Sequence, residues 1–264
     1  LKSVGIHLGL YTNGGILNNE ILEALAGLDF VRVSLDAGSA KTHKLVHGCK
    51  NDDDFNKALG FIRKVKSLNG PEIGVSFIVL KENVQEISVA AAAAKSAGAA
   101  YLELKPAYLS DYTFNQDVFA DVGPILQTEM EKCEALRDNG FRIVSNNQLR
   151  SRFAGGDEVS DLTRLISPRP CLTCRLRMVV SPTGCYLCTP HRSKEEYRIG
   201  DPMTESLVEI WNGPLRVSMA DRLCMYKCAY YEQNELLLKL KEEGRAFNPE
   251  PSRSGIPLEQ RYFL

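Results

Sequence analysis

Residues 72–104 read EIGVSFIVLKENVQEISVAAAAAKSAGAAYLEL, and this stretch decides the fold class. Residues 72–80 are rich in β-branched and aromatic side chains and predict a strand. Residues 83–97 predict a helix, with Asn83 as its N-cap and Gly98 as its C′ stop. Residues 100–104, AYLEL, predict strand again. A strand, a helix and a second strand in so short a span imply parallel strands joined by a right-handed crossover.

The same alternation continues on both sides. Residues 4–11, VGIHLGLY, predict a strand that ends in the turn Thr12-Asn13-Gly14-Gly15. Ile21, Leu22, Leu25 and Ala26 have helical spacing over 18–27. Residues 30–35, FVRVSL, alternate as a strand, with Arg32 on the side opposite Val31 and Val33. A helix over 52–68 opens on Asp52 to Asp54, which suit its dipole, and stops at Asn69-Gly70-Pro71. A helix over 116–139 and a strand over 141–145, FRIVS, complete the series.

Five strands are too few for an eight-stranded barrel. They suit a partial (β/α)6 TIM-like barrel, with its N-terminal units missing, or an open doubly wound sheet. In both, the site lies at the C-terminal strand ends. Those ends are Thr12 to Gly15, Asp36 to Ser39, Lys81 to Asn83, Lys105 to Tyr108 and Asn146 to Gln148, nearly all polar. The chain opens at Leu1, without methionine and inside a strand-like run, so further barrel units are expected upstream.

The 264 residues include 44% hydrophobic and 25% charged residues with a net charge of −1, enough for a large core in one domain plus a small module. Near-cancelling charge gives no footprint for nucleic acid or an anionic membrane. The apolar run from Ile87 to Ala94 is too short to span a bilayer, and no signal peptide is visible. A reducing, cytoplasmic setting is expected, where clustered cysteines mean metal or redox chemistry more often than disulfides.

Six of the eight cysteines fall between 171 and 228. Cys49 and Cys133 stand apart and read as ordinary packing or surface thiols. The six are spaced Cys171-x2-Cys174, Cys185-x2-Cys188 and Cys224-x3-Cys228. Met178 to Val180 and Cys185 to Cys188 predict a hairpin turning at Pro182-Thr183-Gly184, which would gather thiolates at one end. Spacing alone leaves structural zinc and an iron–sulfur cluster both open, with disulfides and inert thiols behind. Residues 151–170 read as a linker, 171–231 as the cysteine module, and 232–264 as an amphipathic helix over 232–244 and an extended arm over 247–264. Leu207 to Trp211 predict a short helix, ended by Asn212-Gly213-Pro214.

The segment from Cys171 through Ser181-Pro182-Thr183-Gly184 to Cys188 resembles the auxiliary-cluster domain, SPASM or its shortened twitch form, of radical S-adenosylmethionine (radical SAM) enzymes. Ile199-Gly200-Asp201, then Ser206 to Trp211, and the closing Cys224 and Cys228, are similar to that domain in order. Upstream, Thr12-Asn13-Gly14 is similar to the family's third barrel strand. Arg32 to Ala37, with His43 and Gly48, is similar to its fourth, Phe77 to Leu80 with Asn83 to its fifth, and Leu104-Lys105-Pro106 to its sixth.

This resemblance implies a radical SAM barrel over residues 1–150 and a twitch-like module carrying one auxiliary [4Fe–4S] cluster on Cys171, Cys188, Cys224 and Cys228, with Cys174 a further candidate of poorer spacing and Cys185 unassigned. It implies S-adenosylmethionine contacts at Thr12, Asn13, Ser34, Asp36, Val79 and Asn83, and catalytic positions at Lys105 and Arg32. Tyr108 and Tyr112 are candidates for a substrate pocket. A second [4Fe–4S] cluster is expected on a C-x3-C-x2-C motif, which these 264 residues do not contain and which would lie upstream. His47 stands where many relatives carry arginine. The implied activity is hydrogen abstraction by a 5′-deoxyadenosyl radical from a small molecule such as a sugar or aminocyclitol, with the auxiliary cluster as electron relay and a flavodoxin or ferredoxin as donor. The alternatives are a peptide maturase and a zinc-stabilised binding protein on a degenerate barrel.

Overall fold

The computed structural model describes residues 6–68, 70–107, 116–145, 165–226 and 230–244. They divide between two compact units, one ending with the strand at residue 145 and the other beginning with the strand at residue 165.

The first unit is a parallel five-stranded sheet in the order β1-β2-β3-β4-β5. Its strands are β1 (Gly9–Thr12), β2 (Phe30–Ser34), β3 (Glu72–Val79), β4 (Tyr101–Pro106) and β5 (Arg142–Ser145). The crossovers carry α1 (Asn19–Ala26), α2 (Ala40–His47), α3 (Asp54–Lys66), α4 (Ile87–Ala97) and α5 (Gln116–Glu134). Strand order equals chain order, as repeated right-handed crossovers to one side produce. The helices cover one sheet face, where Val31, Val33, Val75, Phe77, Leu102 and Leu104 form the core with Phe61, Ile62 and Ala91.

The opposite face is polar. Register aligns Tyr11, Arg32, Gly74, Tyr101 and Arg142 in one row across the five strands. The next row toward the C-terminal ends is Ser34, Ser76, Glu103 and Val144, and beyond it lie Ile78 and Lys105. Two glycines make room for rings on this face. A Cβ at Gly9 would lie 2.0 Å from the ring of Phe30, and one at Gly74 would lie 1.8 Å from that of Tyr101, its partner in register.

The helix α2 was not expected as a separate element. Its mean composition is polar, but the Ser39 side chain caps its start and Gly48, at φ 63°, closes it. The helix expected over 83–97 begins later, after a 3₁₀ turn at Val84–Glu86, and the Asn83 side chain does not cap it. Asn146 to Gln148 and the linker residues 151–164 lie outside the described residues.

The second unit contains β6 (Leu165–Pro170), paired antiparallel with β10 (Leu223–Tyr226), and a three-stranded sheet of β7 (Val179–Ser181), β8 (Gly184–Tyr186) and β9 (Arg198–Gly200). The expected hairpin is present as β7 and β8. The expected linker is corrected at its end: residues 165–170 are a strand. Its prolines are tolerated because a two-stranded ribbon leaves an edge free of ladder partners. Helices α6 (Leu207–Asn212) and α7 (Pro214–Ala220) follow, then α8 (Tyr231–Glu242). Pro214 does not simply end a helix; it occupies the first turn of α7, where its missing N–H costs nothing. The arm 247–264 is outside the described residues.

Candidate functional site

At the C-terminal ends of β2 and β3 the chain is held by three side chains. Asp36 has a left-handed backbone at φ 51°. Its Oδ1 accepts the Ile78 N–H at 2.6 Å, and its Oδ2 lies 3.2 Å from His47 Nε2. Asn83, fully buried, donates from Nδ2 to the Asp36 and Ile78 carbonyls at 2.8 Å each and accepts the Leu80 N–H at 2.8 Å. Glu86 accepts from Gly38 N–H and from the hydroxyls of Ser39 and Thr42. The two strand ends are thus tied together through side chains.

Both side chains, expected from the resemblance to contact S-adenosylmethionine, are engaged within the protein: Asn83 with backbone at Ile78, Leu80 and, across the strand ends, Asp36, and Asp36 with Ile78 and His47. The ion pair with Asp36 raises the His47 pKa above its ordinary value despite burial. Burial and the neighbouring His47 lower that of His43, whose ring stacks on His47 at 4.4 Å. His43 and His47 do share a helix face, as their spacing implies.

On the polar sheet face, Arg32 is 1% exposed. Its Nη1 lies 2.7 Å from Glu103 Oε2 and donates to the Tyr11 hydroxyl at 3.0 Å, while Nε donates to the Tyr101 hydroxyl at 3.2 Å. Lys105 Nζ approaches the same Glu103 oxygen at 3.0 Å and stands 5.5 Å from the Tyr11 ring centroid. Arg32 is thus buried against Glu103, Tyr11 and Tyr101. Lys105 differs: its side chain is 30% exposed.

Ser34 Oγ lies 3.4 Å from Ser76 Oγ on the same face. Val79 is buried in the helix-side core, so only its backbone faces outward contact. Thr12 and Asn13 accept the N–H groups of Gly14 and Gly15 and form the turn after β1. Glu103, Tyr11, Tyr101 and Ser76 were not singled out from the sequence. The cross-strand register sets each on the same face as Arg32 or Ser34, and the sequence period alone does not give that register.

In the second unit, Cys171, Cys174, Cys188 and Cys224 line one cavity of about 150 Å³, together with His191, Tyr197 and Arg222. Cys174 Sγ lies 3.3 Å from Cys171 Sγ. The hydrogen bond between these two thiols and burial push Cys171 upward. Cys174 is pushed up to about 12, its bond to Cys171 being outweighed by the nearby Cys188 and by burial. A cationic metal reverses that preference, because a coordinated thiol loses its proton. Among the described residues, no three His, Cys, Asp or Glu side chains converge tightly enough to enclose a single metal ion. Four thiols nonetheless share one hollow, with His191 beside them, which fits a thiolate-held cluster. Cys228 lies outside the described residues, as do Tyr108 and Tyr112.

Cys185 is fully buried in the small core of this unit with Leu187, Ile199, Ile210 and Ala220. The pair Cys185-x2-Cys188 is therefore split: one thiol packs and the other faces the cavity. Cys133 is also a core residue, its thiol pushed to about 12 chiefly by burial, in line with its reading as a packing thiol. Arg177 was missed in the sequence. Its Nε donates to the Leu187 carbonyl at 3.1 Å, its Nη2 to Cys188 Sγ at 3.4 Å, and its guanidinium lies 3.7 Å from the Tyr230 ring centroid.

Comparison with solved structures bears on the whole arrangement. Streptococcus suis SuiB superimposes with a TM-score of 0.56 at 12% identity, over 83% of this chain and 52% of that one. SuiB bound to S-adenosylmethionine gives 0.55. Native anSMEcpe with bound AdoMet gives 0.50 at 16% identity, over 81% of this chain and 59% of that one. The fold is that of the radical SAM enzymes.

The parallel five-stranded sheet is the part of the chain that matches this fold. The chain spans about half the length of the SuiB structures it matches. Among curated sequences, the uncharacterized protein MJ0804 of Methanocaldococcus jannaschii is 39% identical over 64 residues, which are 24% of this chain and 21% of that protein. No family model matches the chain. Among the described residues, no helix is long and apolar enough to cross a membrane.

Proposed function

We propose that these residues belong to a radical SAM enzyme, in which a 5′-deoxyadenosyl radical abstracts a hydrogen atom from substrate and an auxiliary [4Fe–4S] cluster in the second unit relays an electron. The observation that carries this reading is the coincidence, in one chain, of a radical SAM-like sheet and a cavity lined by four cysteines. The auxiliary cluster would be held by thiolates of Cys171, Cys174, Cys188 and Cys224, with Cys228 a further candidate. When bound, it supplies one-electron chemistry at a tuned potential.

The chain's own residues have defined tasks in this proposal. Ser34 and Lys105 offer a hydroxyl and an ammonium at the strand ends, the ammonium suited to a carboxylate. Ile78 is 39% exposed on the same face and offers apolar contact to a purine. Asp36, Asn83 and Glu86 fix the loops that would enclose the cofactor. A partial barrel over residues 1–150, a twitch-like module over 171–231 and a cytoplasmic, ferredoxin- or flavodoxin-driven reaction complete the reading.

The thiol-lined cavity, by the resemblance to the twitch form, favours a small-molecule substrate. A second reading, peptide modification, is favoured by the neighbours: SuiB was solved with its precursor peptide SuiA, and anSMEcpe with the peptide Kp18Cys. The deciding experiment is anaerobic purification and reconstitution of the full-length protein, including the C-x3-C-x2-C segment expected upstream, with iron and sulfide analysis, visible and electron paramagnetic resonance spectra, and an assay for 5′-deoxyadenosine. Two clusters and reductive cleavage of S-adenosylmethionine are expected. Zinc in place of iron, or fully loaded clusters with no cleavage, would overturn the proposal. Deuterium-labelled sugars or aminocyclitols, against candidate peptides, then separate the two substrate readings.

A further inference from the structure

We infer that Arg177 tunes the auxiliary cluster, holding its reduction potential up by donating a charge-assisted hydrogen bond to the Cys188 thiolate. The inference rests on the reading above that this cavity holds an iron–sulfur cluster.

The geometry is specific. Arg177 follows the 3₁₀ turn Leu172–Arg175 that carries Cys174, and Cys188 follows β8. The guanidinium bridges between them. Nη2 points at Cys188 Sγ at 3.4 Å, and Nε is anchored on the Leu187 carbonyl at 3.1 Å, one residue from the ligand it serves. The Tyr230 ring backs the guanidinium plane at 3.7 Å. A planar fork with one arm on a carbonyl and one on sulfur, stacked on a ring, is a fixed donor. A surface arginine reaching for solvent is not.

The physical consequence has a sign. Adding one electron to a thiolate-ligated cluster adds one negative charge to an already anionic group. A fixed cation with an N–H directed at a ligand sulfur stabilises the more negative state more than the less negative one. Hydrogen bonds to sulfur and net charge are among the determinants of cluster potential. Arg177 therefore shifts the equilibrium toward the reduced cluster, which suits a group that must take an electron.

The test is the midpoint potential of the auxiliary cluster in the intact protein, measured by dye-mediated titration with electron paramagnetic resonance and with iron content determined in the same samples. Arg177→Gln should move the potential to more negative values while iron content stays at that of the parent. Arg177→Lys keeps the charge but cannot satisfy both Leu187 O and Cys188 Sγ, so its potential should fall between the two. An unchanged potential in Arg177→Gln with full iron overturns the inference. Should Arg177→Gln fail to load, Arg177→Lys decides alone: a parental potential overturns the inference and a more negative one supports it. A parent protein that carries zinc here would instead overturn the cluster reading on which the inference depends.

Discussion

Glu103→Gln should destabilise the first unit by about 3 kcal/mol, and the reasoning starts from how Arg32 is housed. Arg32 is 1% exposed and its Nη1 lies 2.7 Å from the Glu103 carboxylate. Removing one member of a buried ion pair costs roughly 3–5 kcal/mol, because the other is left as an uncompensated buried charge. The Tyr11 and Tyr101 hydroxyls remain as acceptors, which puts Arg32 at the lower end of that range. Lys105 shares the same Glu103 oxygen but is 30% exposed and can turn to water, so it adds little. About 3 kcal/mol corresponds to an opening equilibrium on the order of 100-fold larger. Hydrogen-exchange mass spectrometry on peptides spanning residues 30–34 and 101–106 reads that opening directly. The double variant Arg32→Met with Glu103→Leu removes both charges and should lie within about 1 kcal/mol of the parent, since well-packed apolar replacements of buried pairs are often neutral. Acceleration below tenfold in Glu103→Gln, or a double variant as unstable as the sum of its singles, would refute the argument.

Three further outcomes are expected. Cys188→Ala should lose most auxiliary iron, whereas Cys185→Ala should keep it and cost about 1 kcal/mol of stability for the lost packing, as iron analysis and urea unfolding would show. Asn83→Ala removes three hydrogen bonds from a fully buried loop and should cost about 3 kcal/mol, measured by urea unfolding with local exchange over residues 78–84. His47 has a pKa raised by Asp36, so its contribution to stability is complete below its unfolded value near 6.5 and is lost as pH rises through the higher folded value. His47→Gln should flatten the stability of the first unit against pH above about 6.5; an undiminished slope there would assign the dependence to another group.

Much of the α/β order was legible because hydrophobic periodicity reports which face of an element is buried, and β2, β3 and β4 each bury one face against helices. The elements that escaped were those stabilised by other means. The helix α2 is short and polar and depends on Ser39 and Gly48 at its ends. The strand β6 contains Pro168 and Pro170 and pairs only with β10. The thiol cavity was legible as a set of cysteines, but spacing could not separate Cys185 from Cys188. Strand alternation could have done so: Cys185 and Leu187 fall on one side, and Cys188 falls on the other. The charged face of the first unit was half legible. Arg32 and Lys105 stood out as cations within apolar strands, but Glu103, which binds both, lies inside a strand, in neither a turn nor a cap. Only pairing across strands reveals its task.

The seating of Tyr101 on Gly74 also constrains descent. A side chain gained at position 74 would lift the ring, displace its hydroxyl from Arg32 and disturb the charges beneath the strand ends. The two positions lie opposite each other in register but 27 residues apart in sequence. Lineages sharing this sheet should therefore change them together, with glycine at 74 wherever an aromatic ring stands at 101, and a small residue at 101 wherever 74 has grown. The same exchange should hold for Gly9 and Phe30, so that two pairs of sites record, in sequence alone, where rings lie flat upon the sheet.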